Sequence, residues 1–142
     1  PDSVASLSNV LVFKTLQGSA TKADWGVYLQ RLERIPMNGE NVASMWTMIG
    51  VARKGIALDE DPLLAAIETT CKRAQLESSD FAAVGLFILR DTRQPDRAYA
   101  YFAHAVRIGT DRGFSERLIA LVRNEGRGEW AGRLQAMIQA PD

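Results

Sequence analysis

The chain has 142 residues, 46% hydrophobic and 24% charged, the size and make-up of one domain able to bury a core. Lys and Arg number 17, as do Asp and Glu, and a formal net charge of zero argues against a nucleic-acid binder held by phosphate contacts. A single cysteine, Cys71, excludes an intrachain disulfide and a thiolate metal cluster, and a single histidine, His104, would leave carboxylates as the main ligands of any metal.

No apolar run approaches the roughly 18 residues that a membrane-spanning helix requires. The longest, Phe81 to Leu89, also lacks the charged leader of a signal sequence. The chain opens at Pro1 rather than at a methionine. It reads as a piece of a longer protein whose preceding part carries the targeting signal or the membrane anchor. A lone thiol suits a periplasm and a cytoplasm alike.

The periodicity is helical from end to end, with Gly and Pro falling between the helical patterns. Leu7, Val10 and Leu11 mark a stripe on a helix over about residues 3–17, closed by Gly18. Thr21 and Asp24 form a capping box that opens a helix carrying Trp25, Tyr28, Leu29 and Leu32, which stops before Pro36. A third pattern runs from about Glu40 to Lys54 with Val42, Met45, Trp46 and Ile49 inward, and ends at Gly55. Pro62 suits the first position of the next helix, whose stripe is Leu63, Ile67, Cys71 and Ala74.

Phe81, Val84, Gly85 and Ile88 form the inner face of a fifth helix. Pro95 opens a sixth with Ala98, Phe102 and Ala105 inward. Leu118, Leu121 and Val122 mark a seventh that ends near Gly126. Trp130, Leu134, Met137 and Ile138 mark an eighth that stops at Pro141. Short loops make sequential helices antiparallel neighbours. Successive pairs start near residues 3, 40, 79 and 113, a spacing in the range of stacked two-helix repeats. The expected fold is all-α: one domain over 1–142, a right-handed α-solenoid of about four antiparallel helical hairpins.

The residues at these positions resemble the tetratricopeptide repeat. Its first helix has a large apolar residue, then Leu, then Gly; its second has Ala, an aromatic four residues on, and Ala three further. Phe81, Val84 and Gly85 followed by Ala98, Phe102 and Ala105 fit that order, with one extra residue in the turn Asp91–Gln94. Trp46, Ile49 and Gly50 fit a first helix, but the turn Gly55–Asp61 is long and the helix after it fits poorly. Gly18 with Ala23, and Gly126 with Ala131, repeat the turn glycine and the alanine five residues later. Small residues let helix backbones approach, and the large one fills the notch.

The Pro-Asp-Ser start, the order of one pair, an irregular pair, a better repeat and a capping pair, and the stretches Leu29-Gln30-Arg31-Leu32-Glu33 and Gly126–Leu134 carry a narrower resemblance. The chain is similar to the soluble carboxy-terminal tails of bacterial membrane polymerases and ligases of surface glycans, the O-antigen type. That resemblance implies a periplasmic location behind many transmembrane helices; the alternative is cytoplasmic.

Asp59, Glu60 and Asp61 are the densest acidic cluster and suit a helix N-terminus, where carboxylates complement exposed N–H groups. A divalent-cation site is the other reading, but no EF-hand pattern follows. His104 sits between core positions with Asp111 and Ser115 nearby in sequence, and no strained-turn nucleophile motif accompanies it. Cys71 lies on an apolar stripe and reads as core. Gly126–Gly132 has the wrong spacing for a dinucleotide loop and reads as a tight turn with Trp130 beneath. Tyr99 and Tyr101, at alternate positions of one helix, cannot both face inward.

Arg90, Arg93, Arg97 and Arg107 flank the better repeat and are expected either to pair with Asp91, Asp96 and Asp111 or to bind carboxylate or phosphate with their forks. In tetratricopeptide arrays the first helices line a concave groove, which the resemblance places at Ser8, Thr47, Lys54, Arg90, Glu116 and Arg123. A mixed, mildly basic groove suits a protein segment or an anionic glycan segment better than a small apolar metabolite.

The expectation is a non-catalytic interaction and scaffolding module without cofactor or metal, binding no nucleic acid and inserting in no membrane. Alternatives are a stand-alone adaptor for a partner's peptide or helix, and an accessory region completing an active site elsewhere in a longer chain. Arg127, Glu129 and Arg133 point outward and cap the C-terminal end. The N-terminal end continues into upstream sequence or pairs with a second copy as a homodimer.

Overall fold

The computed structural model describes residues 9–11, 13, 14, 16–19, 21–32, 34, 60–73 and 76–139. The helix expected over Glu40 to Lys54 lies outside them. Every regular element among the described residues is helical, so the all-α expectation holds. The helices are α1 (Lys22–Leu32), α2 (Glu60–Arg73), α3 (Ser78–Asp91), α4 (Ala98–Ile108), α5 (Arg112–Asn124) and α6 (Gly128–Gln139), with a 3₁₀ turn at Pro95–Arg97. Two compact units divide the chain at Leu76 and Glu77.

In the first unit, residues 9–16 carry helical backbone at their described positions and end at Gly18, whose φ is +73°. The Ser19 N–H reaches back to the Lys14 carbonyl at 2.9 Å, which closes the helix as a Schellman motif. Only Gly takes that left-handed backbone without a Cβ penalty. The capping box forms as the sequence predicts: the Asp24 N–H donates to Thr21 Oγ1 at 3.2 Å, and the Thr21 N–H donates to Asp24 Oδ2 at 2.9 Å. Lys14 Nζ also meets Asp24 Oδ1 at 2.7 Å, tying the two helices at their turn.

Leu11, Trp25, Tyr28, Leu29, Leu64 and Ile67 build this unit's core, and Trp25 stacks on Tyr28 with ring centroids 5.3 Å apart. Cys71 joins them, buried and in no disulfide. The N-terminal stripe differs from expectation: Leu11 is buried, Val10 faces outward with Phe13 and Leu16, and Leu7 lies outside the described residues. α1 packs against α2. α2 begins at Glu60, so Pro62 stands two residues inside the helix rather than at its first position.

In the second unit, α3 packs against α4, α5 against α6, and α4 also touches α5 and α6. The Glu77 N–H donates to Asp80 Oδ2 at 2.9 Å at the start of α3. Asp111 caps α5 by accepting the Phe114 N–H at 3.2 Å. Pro95 opens the 3₁₀ turn, and α4 follows from Ala98. Gly126 repeats the left-handed closure with φ +83°: its N–H reaches the Arg123 carbonyl at 3.0 Å, and that of Arg127 reaches Val122 at 3.2 Å.

The tightest contact joins α3 and α4. A Cβ built on Gly85 would lie 2.7 Å from Cε1 of Phe102, closer than real Cβ atoms approach. Phe102, Ala98 and Ala105 are fully buried, as the sequence predicts. In α5 the inward residues are Ser115, Leu118, Ile119 and Val122, whereas Leu121 is half-buried. Ala131 and Leu134 are buried in α6, while Trp130, Met137 and Ile138 are half-buried.

Candidate functional site

Of the predicted groove residues, Ser8, Thr47 and Lys54 lie outside the described residues. Arg90 lies in the last turn of α3 and donates from Nε and Nη2 to Glu125 Oε1, just past the end of α5. α3 and α5 therefore finish at the same end of the second unit. The guanidinium holds the Glu125 carboxyl below the ordinary carboxylate range, and that carboxylate in turn raises the pKa of Arg90.

Arg123 is exposed near the same end of α5. Glu116, seven residues earlier and so on the same side of the helix, accepts from Arg112 Nε at 3.2 Å. The structure thus brings Arg90 and Arg123 to one end and leaves Glu116 two turns away.

A second group at this end is visible only in three dimensions. Arg127 Nη1 meets Asp96 Oδ1 at 3.3 Å, which places the starts of α4 and α6 side by side. The Arg127 guanidinium lies over the Trp130 ring, 4.7 Å from its centroid. Trp130 makes an edge contact with Tyr99 at 5.6 Å, and the Arg133 guanidinium sits 5.8 Å from the centre of the Tyr99 ring. Arg133 Nη2 also meets Glu129 Oε1 at 2.6 Å. The result is a row of guanidinium, indole, phenol and guanidinium, with a carboxylate at either flank.

Sequence reasoning treated Trp130 as a core ring beneath a turn and the two arginines as an outward cap. The half-buried indole corrects the first of these. The available signal was spacing: Arg127 and Arg133 each stand three residues from Trp130, which puts all three on one side of a helix.

Tyr99 and Tyr101 are both half-buried, so neither is wholly inward. His104 packs edge-on against Phe81, with ring centroids 4.4 Å apart. In the acidic cluster, Asp61 is exposed, while Asp59 and the Glu60 side chain lie outside the described residues. No group of three or more His, Cys, Asp or Glu able to hold a metal occurs among the described residues. No described helix is long and apolar enough to cross a membrane. Asp111 is an N-cap, Asp96 pairs with Arg127, and Arg90 pairs with Glu125. Comparison with protein-family models, curated proteins and solved structures finds no match.

Proposed function

We propose that the chain is a right-handed solenoid of tetratricopeptide-like helix pairs working as a non-catalytic interaction and scaffolding module. In this reading it is the periplasmic tail of a bacterial membrane glycan polymerase or ligase. The observation that carries it is the seat of Phe102 over Gly85. A fully buried ring fills the place of a missing Cβ, at the two positions where the resemblance puts the large and the small residue. The Arg90–Glu125 pair adds support, since first helices that finish at a common end are what stacked repeats require.

Such stacking leaves the outer side of α3 and α5 with Arg90, Glu116 and Arg123 as a polar, cationic surface suited to an extended segment. The test uses the full-length protein in its host with a photo-crosslinking side chain at position 116. Crosslinking to a partner, lost in Arg123→Glu while helicity by circular dichroism is unchanged, supports the reading. Crosslinking retained in Arg123→Glu removes the groove. The coding sequence upstream of Pro1 tests the membrane half: about ten apolar spans agree with it, each some 20 residues long, and a start codon directly before Pro1 overturns it. Loss of turnover on deleting residues 1–142, with no partner crosslinked from position 116 in the intact protein, would favour the accessory-region alternative.

A further inference from the structure

We propose that the row Arg127, Trp130, Tyr99 and Arg133 is a docking face for an acidic peptide segment of a partner protein. Asp96 and Glu129 are internal stand-ins that the segment's carboxylates displace. The inference deepens the interaction-module reading and rests on it.

The argument starts from an asymmetry in the Asp96–Arg127 pair. The Arg127 side chain is 33% exposed and lies on an indole, whereas the Asp96 side chain is 87% exposed. The cation is the fixed member and the acid the solvated one. Their 3.3 Å separation is at the loose end of charge-assisted contacts. Arg133 repeats the pattern more weakly, held over Tyr99 while its partner Glu129 is 76% exposed. A guanidinium already held over a ring, as that of Arg127 is, loses less freedom when a ligand arrives, which is where much of the cost of binding lies. Exposed ion pairs contribute little, so exchanging one carboxylate for another is nearly free.

Local charge favours the exchange. The chain is neutral overall, yet at this end Arg90, Arg93, Arg97 and Arg123 join Arg127 and Arg133 against Asp91, Asp96, Glu125 and Glu129, and Glu125 is already engaged by Arg90. Planar forks fit carboxylates in paired hydrogen bonds. The groups now on Arg127 and Arg133 are side-chain carboxylates, Asp96 from the turn before α4 and Glu129 from one turn earlier on α6 itself, so both forks already hold the chemical group that an acidic peptide presents.

The experiment titrates the ¹⁵N-labelled 142-residue chain with hexaglutamate and, separately, with hexagalacturonate as an acidic glycan. Amide shifts with hexaglutamate confined to residues 90–99 and 123–133, and weakened by salt, are the expected result. Asp96→Asn with Glu129→Gln, which unfetters the arginines, tightens binding about threefold or more, and Arg127→Ala with Arg133→Ala weakens it about tenfold or more, as expected for carboxylate forks. The Asn/Gln pair separates a docking face from a merely structural cluster, because loss of a structural ion pair would not tighten binding.

Shifts elsewhere or none with hexaglutamate, or unchanged or weaker binding in the Asn/Gln variant, overturn the proposal. So does binding of hexagalacturonate alone, which makes the face a glycan surface. If crosslinking from position 116 persists while hexaglutamate fails, only this inference falls. If both fail, the interaction-module reading falls with it.

Discussion

Gly85 sets the closeness of α3 and α4, and replacing it separates two opposing effects. Alanine improves helix propensity by up to about 1 kcal/mol, but its methyl would meet the Phe102 ring at 2.7 Å. Phe102 is fully buried and its ring has no open side to yield into. Overpacking of this kind costs about 1–3 kcal/mol, so Gly85→Ala lowers the urea midpoint of unfolding. Adding Phe102→Leu to Gly85→Ala restores part of that loss, a coupling that a double-mutant cycle measures. Gly126→Ala tests a different cause. A Cβ there meets nothing within 4 Å, yet φ is +83°. The expected loss is about 1–2 kcal/mol, from left-handed backbone alone.

The helix ends show what local sequence makes legible. Thr21 and Asp24 lie three residues apart, so their reciprocal bonds follow from spacing, and Thr21→Ala should cost about 1 kcal/mol in thermal or urea unfolding. Asp111→Ala should cost a similar amount at the start of α5, a cap not foreseen from the sequence, where Asp111 reads as an arginine partner or a neighbour of His104. The glycine closures at Gly18 and Gly126 were legible for the same local reason. Their companion alanines were not equivalent: Ala131 is buried and Ala23 exposed, because spacing does not say which neighbouring helix arrives. Glu125 could not be chosen as the partner of Arg90, since 35 residues separate them and only packing joins them. Trp130 followed a helical period that makes a core ring and an arginine shelf look alike. Of the six groove positions taken from the resemblance, Arg90, Glu116 and Arg123 fall in described helices, and the site row around Trp130 emerged only from folding.

At the scale of the molecule, one carboxylate among the described residues of each unit contributes acid sensitivity. Hydrogen bonds from Lys14 and Thr21 hold Asp24 below its ordinary range, and Arg90 does the same to Glu125. Groups depressed in the folded state stabilise it above their unfolded pKa, and that contribution is lost as pH falls through the folded value. The urea midpoint should therefore fall as pH drops through and below the ordinary carboxylate range. Asp24→Asn with Glu125→Gln should start lower at neutral pH and vary less with acid, and high salt should shrink the difference. Cys71 is the single thiol of the sequence, and it is buried within the first unit. An alkylating reagent reaches it readily only when the packing around it opens, so labelling rates time the breathing of the core around Cys71 apart from that of residues 77–142. The molecule carries its own clock for one of its halves, with no dye or engineered probe required.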